Sequence, residues 1–143
     1  SLEEDAMSDI DRRALVGLGA MAAFPTVAIG RAEAQPHALS QGLEIAPGVR
    51  LVELGKRASM LAGYKNLSMR DIVYQPGAKS STPSMVNDMV CHCTQGALRI
   101  KQGPGMEFVA RRGDVWSCPK GSPEEGENIG AGVAIMRVID LVR

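Results

Sequence analysis

From Leu43 to the end, the chain alternates short β-rich runs with turn residues. The runs are GVRLVEL (48–54), NLSMRDIVYQPGA (66–78), DMVCHCTQGALRIKQGPG (88–105), MEFVARRGDVWSCPKGSP (106–123) and GVAIMRVIDLV (132–142). Glycine and proline recur at intervals of roughly ten residues, the cadence of an antiparallel sandwich or barrel. The pattern predicts an all-β domain, in which residues 59–65 add either a helical turn or a short strand.

An uncharged stretch precedes this region. Residues 14–30 carry no charge, follow the pair Arg12 and Arg13, and are closed by the small-x-small sequence AEA at 32–34. This arrangement resembles a twin-arginine (Tat) export signal, cut after Ala34. It predicts a signal segment at 1–34, a domain at 35–143, and a periplasmic or secreted protein.

The stretch is short for a membrane anchor. A spanning helix needs about 20 apolar residues, whereas this run has 17 and is interrupted by Gly17, Gly19 and Pro25. We therefore expect no stable membrane span, with an uncleaved anchor as the alternative. An amphipathic first helix is disfavoured because the run has no polar face. Residues 1–6 precede Met7, a plausible native start, and are compatible with a cloning remnant. Residues 32–41 form the one linker candidate in the sequence.

Composition limits the number of domains and the kinds of partner. With 143 residues, 45% of them hydrophobic, the chain is long enough for one globular core. Sixteen basic and sixteen acidic residues cancel, so no overall field draws the chain to nucleic acid. Only five residues are aromatic, which leaves no stacking platform for bases. Nucleic acid is therefore excluded as an expected partner.

The chain has three cysteines, Cys91, Cys93 and Cys118. Cys91 and Cys93 are two apart in a predicted strand, so their side chains share one face about 6–7 Å apart. That separation suits a disulfide poorly. We therefore favour buried free thiols over a disulfide.

Two stretches resemble the conserved motifs of the cupin superfamily of small β-barrels. GAKSSTPSMVNDMVCHCTQG follows the spacing G(X)5HXH(X)3-4E(X)6G, and GDVWSCPKGSPEEGEN follows G(X)5PXG(X)2H(X)3N. The framework positions are occupied as the pattern requires by Gly77, Gly96, Gly113, Pro119, Gly121 and Asn128. Sixteen residues separate the motifs, enough for a short hairpin. The resemblance implies a single antiparallel jelly-roll barrel, also described as a double-stranded β-helix.

The metal-ligand positions depart from the family pattern. Where the family places three histidines and a glutamate, this chain has Pro83, Met85, Met89 and Glu124. Iron, manganese and zinc prefer imidazole nitrogen and carboxylate oxygen, so we expect no metal site of the usual type and no cofactor. Of the two histidines, His37 lies beside the predicted cleavage site, where a satisfied or disordered side chain is expected.

Strand alternation predicts what lines the barrel. If Met89 faces inward as the motif implies, Cys91 and Cys93 do so too, while Val90 and His92 face the other side. The predicted ligand pocket consists of Met85, Met89, Cys91, Cys93, Trp116, Cys118 and Glu124. The four turn glycines 77, 96, 113 and 121 are expected where a Cβ would clash, so that Gly96→Val destabilises the barrel.

The simplest interpretation of this sulfur-rich interior is that sulfur atoms fill an irregular barrel and that Glu124 lies at its mouth in solvent. Three functions are the alternatives to it. The first is a binding protein with a degenerate metal site that holds a small molecule or a partner in the barrel. The second is a soft-metal site for Cu(I) built from Met85, Met89, Cys91 and Cys93. The third is a metal-independent enzyme with Glu124 as the candidate catalytic proton-transfer group and a cysteine of lowered pKa as the nucleophile. The family resemblance also implies a homodimer.

Overall fold

The computed structural model describes residues 36–143, and the predicted signal segment lies outside these residues. Ten strands make up this part of the chain: β1 (Leu43–Ala46), β2 (Val49–Ala58), β3 (Asn66–Tyr74), β4 (Lys79–Thr82), β5 (Asp88–Gln95), β6 (Ala97–Lys101), β7 (Glu107–Arg111), β8 (Val115–Cys118), β9 (Glu124–Asn128) and β10 (Ala134–Val142). Residues 36–143 contain no helix, so none of them forms an apolar helix able to cross a membrane. The all-β prediction is confirmed.

The strands form two antiparallel sheets. A six-stranded sheet has the order β1-β2-β3-β10-β5-β8, and a four-stranded sheet has the order β4-β9-β6-β7. The C-terminal strand β10 lies between β3 and β5, and β6 pairs with β7 as the predicted hairpin between the motifs. The strands that pair at the centre of the large sheet are therefore distant from one another in sequence, as a jelly roll requires.

Alternating side chains build the core between the two sheets. On β5, Met89, Cys91 and Cys93 are buried while Val90 and His92 are half-buried, so the predicted alternation holds. The small sheet contributes Leu98 and Ile100, both fully buried. Together these side chains belong to one apolar cluster that draws on both sheets.

Gly96 is a turn glycine at which a larger residue would clash with neighbouring backbone. Its φ is 74°, and a Cβ there would lie 2.8 Å from the Val133 carbonyl oxygen and 2.9 Å from Ala134 Cα. The clash expected at Gly77, Gly113 and Gly121 is wrong, because no atom lies within 4 Å of a Cβ at any of them. Their positive φ values, a region that L side chains rarely adopt, explain why glycine suits these turns.

The outer face of the large sheet carries an ion pair whose carboxylate is buried and whose guanidinium is partly exposed. Asp71 on β3 is opposite Arg137 on β10, and the Arg137 Nε and Nη2 groups donate to the two Asp71 oxygens at 2.9 and 3.0 Å. His37 Nε2 lies 2.7 Å from Asp71 Oδ2. Burial alone would raise the Asp71 pKa, but hydrogen bonds from Arg137 and His37 outweigh it and lower that pKa. Residues 36–41, the described part of the predicted linker, thus contact the large sheet through His37.

Asp88 joins three segments at one end of the large sheet. Its Oδ1 accepts a hydrogen bond from the Lys120 amide at 2.8 Å, and its Oδ2 accepts from Tyr64 and Arg143 at 2.8 and 2.9 Å. The Lys120 bond, followed by those of Tyr64 and Arg143, lowers the pKa of Asp88 to about 2. Residues 59–65, which contain Tyr64, form a turn between β2 and β3 and neither of the predicted elements.

Candidate functional site

A cavity of about 180 Å³ opens between the two sheets. Its lining comes from β1, β3, β4, β5, β9, β10 and the loop after β4, and consists of Ile45, Arg70, Ile72, Tyr74, Ser80, Thr82, Met85, Val86, Met89, Glu124, Met136 and Val138. Most of these side chains are apolar, while Arg70 and Glu124 supply the charged groups. At about 30 Å³ per water molecule, this space holds roughly six waters or a compact small molecule.

Glu124 begins β9 and reaches the cavity from the small sheet. It is 4% exposed, and its Oε2 accepts hydrogen bonds from Gln102 Nε2 at 2.9 Å and Trp116 Nε1 at 3.2 Å. Burial raises the pKa of Glu124 and outweighs the hydrogen bonds from Gln102, Trp116 and Cys118, which lower it. A carboxyl in this environment takes up a proton more readily than an exposed one, and so can accept or donate a hydrogen bond inside the barrel.

Of the other three positions at which the family pattern places metal ligands, two lie beside Glu124 and one does not. Met85 and Met89 line the cavity with Glu124, and the Met85 backbone is held by Ser122 and Gly121 on the neighbouring loop. Pro83 instead is exposed and lines a groove on the outer surface with Pro104 and Pro123. Three of the four motif positions therefore meet at one site.

The three cysteines do not line the cavity. Cys91, Cys93 and Cys118 are free thiols, each at most 1% exposed and packed within the core cluster, and none of them is part of the cavity lining. Burial, the largest effect at each of them, raises their pKa values, so the thiolate form is disfavoured. The Cys93 thiol also donates to backbone oxygens at Gln95 and Gly96. Their surroundings identify them as packing groups rather than nucleophiles.

Trp116 and His92 also lie outside the cavity lining. Trp116 packs edge-on against Phe108, with ring centroids 5.8 Å apart, and its Nε1 donates a hydrogen bond to Glu124. His92 is opposite Arg137 on the outward face of the sheet. Of the seven predicted pocket residues, Met85, Met89 and Glu124 are brought together in the cavity, and Cys91, Cys93, Trp116 and Cys118 are not.

The donor atoms of this cavity do not fit an iron, manganese or zinc ion. Such ions need three or four nitrogen, oxygen or thiolate ligands. The cavity offers thioethers, neutral hydroxyl groups, a guanidinium and a single carboxylate, whose Oε2 already accepts two hydrogen bonds. Within residues 36–143 no three histidine, cysteine, aspartate or glutamate side chains come together as a metal site.

Arg70 and Asp140 are site residues that sequence reasoning missed. Ser68, Arg70 and Ile72 alternate along the inward face of β3. A charged residue at one of these inward positions is the feature of the sequence that could have indicated a site residue. Its Nε lies 2.8 Å from Asp140 Oδ2, and its Nη2 donates to Asp140 Oδ1 at 3.2 Å. Asp140 is 6% exposed and lies across the sheet on β10. The cavity therefore contains a paired, oriented cation.

A wider groove of about 700 Å³ lies outside the barrel, on the outer face of the small sheet. Arg99 on its floor pairs with Glu127 at 3.1 Å and with Glu107 at 3.3 Å, and Lys79 lies 3.8 Å from Glu127. These ion pairs join cross-strand neighbours and stabilise the sheet surface, which is the usual arrangement of exposed charges on a strand face. The cavity inside the barrel is the better candidate site because its polar groups are buried among apolar walls.

The fold and cavity together define a cupin-like jelly roll, and solved structures agree. The chain is similar to an RmlC-like cupin from Shewanella frigidimarina at 17% identity and a TM-score of 0.53, over 70% of this chain and 82% of that one. It is similar to the cupin domain of an XRE-family transcriptional regulator from Enterobacter cloacae at 14% identity and a TM-score of 0.53, over 67% and 99%.

KdgF from Halomonas sp. is also similar, at 14% identity and a TM-score of 0.56, over 71% of this chain and 86% of that one. No protein-family model and no curated protein matches the chain. At these identities the likeness shows the fold alone. The chain therefore has a cupin-type fold, and its function has to be inferred from its own residues.

Proposed function

We propose that this protein binds a small molecule inside its barrel, at the place where the family pattern would put a metal. The supporting observation is the cavity in which Met85, Met89 and Glu124 meet apolar walls. A concave, mostly apolar space with a few convergent polar groups is the usual form of a ligand site. The small volume favours a compact ligand.

Ligand-observed NMR with a panel of small acids, amides, amines and alcohols tests this function. Met85→Phe places a larger side chain in the cavity and should abolish the binding of any fragment that the wild-type protein holds. Val109→Phe, on the exposed face of β7, is the matched control and should leave binding unchanged. A panel without any binder, or binders that ignore Met85→Phe, would contradict the proposal.

Cu(I) is a second candidate occupant of the same cavity. It is favoured by one observation, the three thioethers of Met85, Met89 and Met136 in a single lining, since soft sulfur donors select Cu(I). Cys91 and Cys93 do not join them, so the site would rest on methionine alone. Anaerobic Cu(I) titration against a competing chelator should then show binding that falls in Met85→Leu and Met89→Leu and persists in Cys91→Ser and His92→Ala.

We also infer that the protein is exported and forms a homodimer. Export is supported by Arg12 and Arg13 before the uncharged run at 14–30. The homodimer rests on the cupin-like fold, since proteins of this fold commonly pair through their sheets. Light scattering coupled to gel filtration should give twice the mass of one chain, and a monomer at all concentrations would contradict the dimer.

A further inference from the structure

Arg70 provides the cavity with a positive charge that does not depend on a metal. The side chain projects inward from β3 and shares the cavity lining with Met85, Met89 and Glu124. These are three of the four positions at which the family pattern holds a metal. A guanidinium thus borders the space that a metal would occupy in the family.

The way Arg70 is held leaves part of its guanidinium available. Asp140 contacts the Nε and Nη2 edge, at 2.8 and 3.2 Å. A guanidinium has five N–H groups. Nη2 donates a hydrogen bond to Asp140, whereas the buried Nε has no hydrogen-bond partner among the described residues in spite of its short distance to Asp140. Asp140 therefore orients the cation and leaves N–H groups for a second acceptor.

The chemistry of these free donors indicates a carboxylate. A planar guanidinium matches the two oxygens of a carboxylate better than a single carbonyl oxygen. Ile72, Met136 and Val138 form apolar walls beside it, so the lining favours a ligand whose remaining part is mostly apolar. Ile45 and Val86 line the same cavity while remaining 45% and 76% exposed, and they extend this apolar surface toward solvent.

We propose that Arg70 substitutes for the family's metal as the ligand-binding cation and that the barrel binds a short-chain aliphatic carboxylate. This inference rests on the proposed function and adds the chemical class of the ligand. Asp140 keeps Arg70 from being an unpaired charge when the cavity holds no ligand. The ligand carboxylate then shares the guanidinium with Asp140.

Calorimetric titration of the full chain with butanoate and with butanamide, a neutral molecule of similar size, tests the proposal. Butanoate should bind the wild-type protein at least tenfold more tightly than butanamide. Arg70→Met, of similar length and without charge, should weaken butanoate binding at least tenfold, and Arg70→Lys should fall between. Arg99→Met, on the outer face of the small sheet, is the control and should bind like the wild type.

If Arg70→Met fails to fold because it leaves Asp140 unpaired, the double variant Arg70→Met with Asp140→Asn serves the same purpose. Equal affinity for butanoate and butanamide, no saturable butanoate binding, or butanoate binding that survives the loss of Arg70 would each overturn the proposal. Fragments other than carboxylates that bind the wild type and are lost in Met85→Phe would leave the small-molecule function standing while the carboxylate class falls.

Discussion

At the scale of single residues, burial decides what each ionisable side chain can do. Glu124 is nearly inaccessible and has a raised pKa, while Asp88 and Asp71 have lowered pKa values because cations and amides reach them. One carboxyl therefore tends toward its neutral form while the other two are stabilised as anions. Glu124 and the two aspartates therefore change their protonation over different pH ranges.

Replacing Glu124 by glutamine should change how stability depends on pH. A raised pKa in the folded state means that Glu124 stabilises the protein below its ordinary pKa, and that this contribution is lost as pH rises through the raised value. Asp71 and Asp88 are already ionised there, since their pKa values are lowered. Melting temperatures of wild type and Glu124→Gln between about pH 4 and about pH 8 should show the variant gaining on the wild type as pH rises; parallel curves would be the contrary result.

Gly96 and Gly77 allow the cost of a clash to be separated from the cost of backbone strain. Both have φ near +75°, at 74° and 76°, but only Gly96 has backbone atoms under 3.0 Å from a Cβ. Gly77→Val should cost about 1–2 kcal/mol for the left-handed backbone. Gly96→Val should cost a further 1–3 kcal/mol, roughly, from overpacking. Urea unfolding measures both, and equal losses would refute the close approach of β10 to this turn.

At the scale of secondary-structure elements, β3 and β10 hold different polar pairs on their two faces. Asp71 and Arg137 pair on the outer face, and Arg70 and Asp140 pair on the inner face. The register places Asp71 directly opposite Arg137. Two strands far apart in sequence are thereby joined by ionic contacts as well as by their backbone ladder.

Asp71→Ala should be more destabilising than the loss of a surface ion pair. Removing one partner of a buried pair typically costs about 3–5 kcal/mol. Because Arg137 is 39% exposed and can turn toward water, we expect about 2–3 kcal/mol. Arg99→Ala, which breaks exposed pairs on the small sheet, should cost about 0–1 kcal/mol. Chemical denaturation of both variants measures the loss in free energy of unfolding. Similar losses would show that the burial of Asp71 adds nothing to the strength of its ion pair.

At the scale of the whole molecule, the proposed export requires that the barrel folds before it is transported. The twin-arginine route, which the N-terminal segment resembles, carries proteins that have already folded. A ten-stranded jelly roll with three reduced, buried thiols can complete its fold before transport, since no disulfide is needed. Any ligand of the barrel could be taken up on either side of the membrane.

Changing Arg12 and Arg13 together to lysine should retain the precursor in the cytoplasm, uncut after Ala34. The expected reason is that the export machinery reads the arginine pair and not only its charge. Arg50→Lys, which also conserves charge but lies in β2, is the control and should be exported normally. Fractionation followed by mass spectrometry of the N-terminus measures the outcome, and normal periplasmic recovery of the double variant would contradict a twin-arginine signal.

The sequence alone was sufficient for the fold and for the inward positions on β5. Turn glycines and alternating apolar residues are local signals, so they predict the all-β class, the hairpin of β6 and β7, and the burial of Met89, Cys91 and Cys93. The polar strands β4 and β9, with sequences KSST and EEGEN, carry no such alternation. They are strands because β9 pairs with both β4 and β6.

The tertiary structure decided which inward residues border open space. Cys91 and Cys93 face inward as predicted, yet neighbouring side chains fill the barrel around them, whereas Met85 and Met89 are left beside a cavity. Alternation defines a face of a strand but not the distance to the opposite sheet. The pairing of Arg70 with Asp140 joins residues 70 positions apart, and it exists only because β10 inserts beside β3, a contact that no local pattern encodes.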